Sequence, residues 1–223
     1  MLKARLTIFA GHCGSGKTSL AVNYALLLRK SFLKVAACDL DVVNPYFRTA
    51  DYSEVFARYG VKLIASKLAL SNVDAPALPP ETQAVFDDEN YRAVIDLGGD
   101  RGALTLGAYA KKIVSGQNYQ MLLVVNGYRP ASANLRGLRE IKDEIEEAAG
   151  VKLTGIVNNG NLGSDTTVET ILNGIPLIEE FSKAASLPIA MTSVNRKLYD
   201  EMRFKVNNIF PLEFFESENR RVF

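Results

Sequence analysis

The segment Gly11-His12-Cys13-Gly14-Ser15-Gly16-Lys17-Thr18 constrains this chain more than any other. It reads G-x-x-x-x-G-K-[ST], directly after the apolar run RLTIFA and directly before the helix-forming stretch TSLAVNYALLLRK. Glycines at these positions let backbone N–H groups turn inward around phosphate oxygens, and the helix N-terminus adds partial positive charge. Lys17 is expected to contact the β and γ phosphates of a nucleotide, and the Thr18 hydroxyl to ligate Mg²⁺. Gly11, His12, Cys13, Gly14, Ser15, Gly16, Lys17, Thr18 and the adjacent Ser19 are the candidate binding residues. A glycine-rich turn with no ligand would leave Lys-Thr at the helix start unexplained.

A phosphate loop between strand and helix calls for a sheet. The remaining apolar segments are short and continuous: KVAACDL, RAVIDL, QMLLVV, LTGIVN and LPIAM. Such runs suit strands buried on both faces of a parallel sheet. Between them lies helical spacing, clearest where Leu135, Leu138, Ile141, Ile145 and Ala148 share one face and Gly150 follows as a stop. Thr166 and Glu169 fit a capping box, and Gly174 with Pro176 predicts a break in the helical region that follows. Ser71 to Pro80 reads as an irregular loop. The expectation is α/β: a single three-layer domain over residues 1–223, with a mostly parallel sheet and helices on both faces.

Composition narrows the function. With 26 Lys+Arg against 25 Asp+Glu, the chain lacks the basic excess of a nucleic-acid or membrane-surface binder. Two cysteines make no disulfide framework. The apolar start is too short for a secretory signal, and no run reaches the ~20 apolar residues of a membrane span. A cytoplasmic location is expected, with no nucleic-acid partner and no stable membrane association.

Two further segments carry carboxylates at strand ends, where parallel sheets gather ligands. In AVIDLGG, Asp96 is placed to reach Mg²⁺, and the N–H of Gly99 to reach a γ-phosphate. In CDLD, Asp39 and Asp41 face the same edge. One would support Mg²⁺ and the other orient an attacking water, or one of them caps the turn at Asn44-Pro45. Guanine sites of the N-K-x-D type find no match in Asn126-Gly127-Tyr128-Arg129 or Asn158-Asn159-Gly160-Asn161, so ATP is the expected nucleotide. Asn158 either reads the adenine edge, since an amide donates and accepts at once, or serves the strand-end turn.

GHCGSGKTS, ACDLDVVNPYFR, VIDLGGD and GIVNN, in this order, resemble the nucleotide-binding domain shared by the CobQ/CobB/MinD/ParA ATPases, from Leu6 to about Val194. The resemblance implies ATP with Mg²⁺ and homodimers that meet across the nucleotide. It implies magnesium and switch roles for Asp39, Asp41 and Asp96, and adenine recognition by Asn158. The chain departs from it at His12, where typical members carry a lysine that reaches the partner's phosphates. An imidazole reaches less far and carries no permanent charge. Arg48 or Arg101 is a candidate for the missing cation.

Cys13 and Cys38 flank the nucleotide site but form no C-x-x-C pair, so small buried hydrophobes are expected rather than metal ligands. The loops Asn44 to Arg48 and Asn126 to Pro130 each join a turn, an aromatic and an arginine, a composition that suits a partner contact or loop packing. The aromatic tail LEFFESENRRVF carries glutamates that would repel anionic lipid, and docking or fraying is expected. Three functions compete: an ATP-hydrolysing switch acting on a partner protein, a phosphotransferase with a small-molecule acceptor, and a binding module without turnover.

Overall fold

The computed structural model describes residues 4–40, 48–65, 80–116 and 118–215, with backbone alone at residues 100 and 101. The expectations placed on Asp41, on Asn44 to Phe47, on residues 71–79, on the Arg101 side chain and on residues 216–223 lie outside the described residues.

In chain order the elements are β1 (Leu6–Ala10), α1 (Lys17–Arg29), β2 (Val35–Asp39), a 3-10 turn (Thr49–Tyr52), α2 (Ser53–Tyr59), β3 (Lys62–Ala65), α3 (Pro80–Asp87), β4 (Arg92–Asp96), α4 (Gly99–Gly107) and α5 (Ala110–Gly116). Then follow β5 (Tyr119–Val125), α6 (Leu135–Ala149), β6 (Gly155–Asn158), α7 (Val168–Ala185), β7 (Ile189–Asn195), α8 (Tyr199–Met202) and β8 (Ile209–Leu212). The strands form one eight-stranded sheet in the order β3-β2-β4-β1-β5-β6-β7-β8, and every adjacent pair is parallel.

Strand side chains alternate between two cores, which is what a sheet covered on both faces requires. Ile8, Ile95, Leu123 and Val125 pack with Leu106, Ile113, Leu138, Ile145 and Phe181 on the face covered by α4 to α7. Phe9, Val94, Leu122 and Val124 pack with Leu20, Tyr24, Leu28 and Phe56 on the face covered by α1 and α2. The expected three-layer α/β fold is the observed one. No helix among the described residues is long and apolar enough to cross a membrane.

Two local expectations change. The cap of α7 is Thr167, whose side chain and that of Thr170 exchange bonds with each other's backbone N–H, not Thr166 with Glu169. The Thr166 hydroxyl instead closes the preceding turn, donating to Gly163 O at 2.8 Å. The helix then runs unbroken through Pro176. A proline removes one N–H from the ladder. Burial of Ile171, Ile178 and Phe181 on both sides of it holds the axis together.

Candidate functional site

The loop Gly11 to Gly16 leaves the C-terminal end of β1 and enters α1, and its shape depends on glycine. Gly11 has φ 149°, and a Cβ there would stand 2.6 Å from Val124 O on the neighbouring strand. Gly16 has φ 91°, and a Cβ there would collide with Nδ2 of Asn159. That amide, nearly fully buried, donates to Ser15 O at 2.6 Å. A trans peptide points its C=O and N–H in opposite directions. Fixing Ser15 O outward against Asn159 therefore turns the N–H of Gly16 toward the concave side of the loop. Asn159 is held in turn by Ser193, whose hydroxyl donates to its Oδ1.

Lys17 is buried and folds back across the loop, its Nζ donating to His12 O at 3.1 Å. The N–H of Ser15 donates to the same carbonyl at 3.2 Å. The Ser15 hydroxyl is buried with no hydrogen-bond partner. His12 and Cys13 are exposed at the loop crest, with His12 Nδ1 3.2 Å from Cys13 O. Ser19, on the first turn of α1, lines an adjoining cleft.

The carboxylates expected at the strand ends are brought side by side. Asp39 of β2 and Asp96 of β4 are paired in register on adjacent strands, and both are buried. Asp96 Oδ2 accepts from Thr18 Oγ1 at 2.7 Å and from Thr49 Oγ1 at 2.8 Å. Asp39 Oδ2 accepts from the N–H of Ala50 at 3.0 Å and lies 3.3 Å from Arg48 Nε. Arg48, the sequence candidate for a cation serving the loop, is thus ion-paired with Asp39. Gly99 opens α4 just past Gly98, its N–H in the unpaired first turn of that helix. Cys38, one residue before Asp39, is buried, and desolvation with help from the Asp39 charge pushes its thiol up to about 12.

No cluster of three metal-ligating side chains exists among the described residues. A hydroxyl and a carboxylate already 2.7 Å apart (Thr18 and Asp96) instead fit Mg²⁺, which takes few protein oxygens and keeps waters and phosphates as its other ligands. The glycine turns, the lysine laid across them and the helix N-terminus behind them likewise fit a polyphosphate.

Beside the loop, over the ends of β6 and β7, lies a small open cleft of about 70 Å³ lined by Gly16, Asn159, Asn161, Thr166, Asn195 and Phe214, among others. Asn158 does not line it: its Oδ1 accepts from the N–H of Gly160 at 3.3 Å. Sequence reasoning missed Thr49, Asn159, Asn161 and Asn195. For Thr49, the only available signal was its position soon after the CDLD segment.

A model of the CobQ/CobB/MinD/ParA nucleotide binding domain matches residues 6–183. The chain belongs to that family. It is a P-loop nucleotide-binding domain of the MinD/ParA type. Among curated proteins none matches the chain.

Solved structures agree on the fold. The cell division protein FtsY of Thermotoga maritima superposes with a TM-score of 0.59 at 19% identity, covering 96% of this chain and 65% of its own. FtsY of Mycoplasma mycoides gives 0.55 at 21% identity, covering 87% and 61%. The signal recognition particle receptor FtsY of Elizabethkingia anophelis, in complex with GDP, gives 0.52 at 18% identity, covering 97% and 61%. The chain spans less than two thirds of the length of these structures. At such identities the likeness is one of fold.

Proposed function

We propose that this domain binds ATP with Mg²⁺ at the loop Gly11 to Thr18, hydrolyses it slowly, and acts through the resulting change of shape on a partner protein. The observation that carries this reading is the convergence of Lys17, Thr18, Thr49, Asp39 and Asp96 on one edge of the sheet, with two hydroxyls on a single oxygen of Asp96. Lys17 holds the β and γ phosphates. Thr18 and Asp96 hold the metal. Mg²⁺, when bound, neutralises charge on the phosphate oxygens. Asp39 completes the acidic edge beside Asp96, Asp41 is assigned from the sequence to the attacking water, and the Gly99 N–H is assigned to the γ-phosphate. Because Thr49 shares the Asp96 oxygen with Thr18, the segment Arg48 to Ala50 reports on what Asp96 binds, which is the element a switch needs.

The choice of ATP rests on the cleft. Its polar lining is amide and hydroxyl, from Asn161, Thr166 and Asn195, with no carboxylate among the described lining residues. Guanine presents adjacent ring and amino N–H donors that a carboxylate accepts best, whereas adenine's mixed edge suits an amide. The GDP in the Elizabethkingia structure is the observation on the other side, and it makes GTP the competitor to test.

Titrating the protein with Mg·ATP and Mg·GTP, and measuring phosphate release, decides the matter. ATP is expected to bind at least tenfold more tightly than GTP, with phosphate release that Lys17→Ala abolishes. Preference for GTP overturns the nucleotide assignment. Unchanged ATP affinity in Lys17→Ala overturns the site, and transfer of label to an added acceptor in place of phosphate release overturns the switch.

A further inference from the structure

We infer that Phe214, on the segment that follows β8, is a stacking platform for the base of the bound nucleotide. This assignment rests on the nucleotide reading above. It goes beyond that reading by giving the flat face of the base a partner outside the phosphate loop, and outside residues 6–183 that the family model matches.

The segment is anchored to α1 one turn along from the phosphate loop. Asn23 is buried in the second turn of that helix, where its Oδ1 accepts from the N–H of Glu213 at 2.8 Å and its Nδ2 donates to Glu213 O at 2.9 Å. The same Nδ2 donates to Ser19 O, also at 2.9 Å. Glu213 is therefore held at the level of Asn23, with Ser19 one turn nearer the loop. Phe214, next in the chain, lines the cleft together with Ser19 and Gly16. Leu212 before it is buried, and Phe215 after it packs against the core on the α1 face of the sheet. Phe214 takes no part in that core and is 64% exposed. Its backbone is thus fixed from both sides while its ring stays open to a partner.

The cleft supplies the complement. Phe214 is the only aromatic among the described residues that line it, and Asn161, Thr166 and Asn195 give it amide and hydroxyl groups. Such groups read the edge of a base and cover none of its face. At about 70 Å³ the cleft falls well short of the ~300 Å³ at which pockets begin to enclose a ligand, so the face has to be covered from the rim. An aromatic ring does this by offset stacking. Every base has a π-face, so stacking of this kind accepts adenine and guanine alike. Phe214 adds affinity for the base, and the choice between bases stays with the amides.

The test titrates the full chain, as wild type, Phe214→Ala, Phe214→Trp and Lys17→Ala, with ATP, GTP and inorganic tripolyphosphate, each with Mg²⁺, beside thermal unfolding without nucleotide. Phe214→Ala is expected to weaken ATP and GTP by about fivefold to a hundredfold, the range for stacking one base on an aromatic side chain. Its affinity for tripolyphosphate should be unchanged, and its unfolding midpoint close to that of wild type. The chain contains no tryptophan, so Phe214→Trp provides a single indole, whose emission ATP should quench and tripolyphosphate should not. Unchanged ATP affinity in Phe214→Ala, equal weakening of ATP and tripolyphosphate, or an indole that does not respond to ATP overturns the proposal. If Phe214→Ala does not fold, the indole of Phe214→Trp decides. Lys17→Ala separates the two levels. Unchanged ATP binding there removes the nucleotide reading itself, whereas lost binding there with unchanged ATP affinity in Phe214→Ala removes only the role of Phe214.

Discussion

Replacing Asn159 with alanine isolates the contact that sets the inner wall of the phosphate loop. The side chain is 3% exposed, donates to Ser15 O at 2.6 Å and accepts from Ser193. Alanine leaves Ser15 O buried without its donor. Ser193 loses less, because its hydroxyl also reaches Asn158 O at 3.2 Å. A buried polar group deprived of its partner costs about 1–3 kcal/mol, so the substitution should destabilise the fold by roughly 2 kcal/mol. For a chain of this size that corresponds to a fall of about 4–8 °C in the unfolding midpoint. Asn159→Asp should be worse than alanine, since it places a carboxylate against a carbonyl oxygen with no proton between them. Calorimetric unfolding of both variants, with urea titration to obtain free energies, reads these effects. A loss below about 0.5 kcal/mol for alanine, or an aspartate variant as stable as the alanine one, would refute the claim that this amide pins the loop.

The thiols and one buried carboxylate give two more tests. Cys13 is exposed and Cys38 buried, with burial raising the Cys38 thiol to about 12, so maleimide at pH 8 should label Cys13 alone in the native state. Mg·ATP should slow that labelling, which mass spectrometry of the digest would follow; native labelling of Cys38 at a similar rate would contradict the burial. Burial pushes the Glu146 carboxyl up, but Lys152, the Leu153 N–H and Lys142 outweigh it and hold it below the ordinary glutamate value. A depressed carboxylate contributes stability above its unfolded value near ~4.3 and loses it as pH falls through the folded one. Glu146→Gln should therefore be less stable than wild type at pH 7, with the gap closing below about pH 4 in urea titrations; a gap independent of pH would show that charge is not its source.

The central strands were legible because both their faces are buried. The runs RLTIFA, KVAACDL, RAVIDL, QMLLVV, LTGIVN and LPIAM became β1, β2, β4, β5, β6 and β7. The two strands with no such run, β3 and β8, are the sheet's edges. Each has only four residues and is partly exposed, and β8 carries Pro211, a residue that edges tolerate and central strands do not. At the site, the loop and the carboxylates Asp39 and Asp96 were readable from local pattern. Asn158, which ends β6, and Asn159, which follows it, were not separable, since neighbouring residues at a strand end point opposite ways and either sequence position looks the same. Thr49 was out of reach for another reason: its partner lies 47 residues away, and only the folded sheet brings them together.

Helix α1 begins at Lys17 and is buried on most of its circumference, by Leu20, Ala21, Val22, Tyr24, Ala25, Leu26 and Leu28, with Asn23 exchanging hydrogen bonds with the backbone of Glu213 beyond β8. A helix wedged this way behaves as an anvil. Its position is already decided by contacts that no nucleotide touches, so occupancy of the loop cannot be broadcast by shifting it. In the switch proposed above, the signal would leave instead along the lighter piece that meets the carboxylates, the Arg48 to Ala50 segment. A partner reading the bound state in that scheme would have to grip the molecule on that side of the sheet edge.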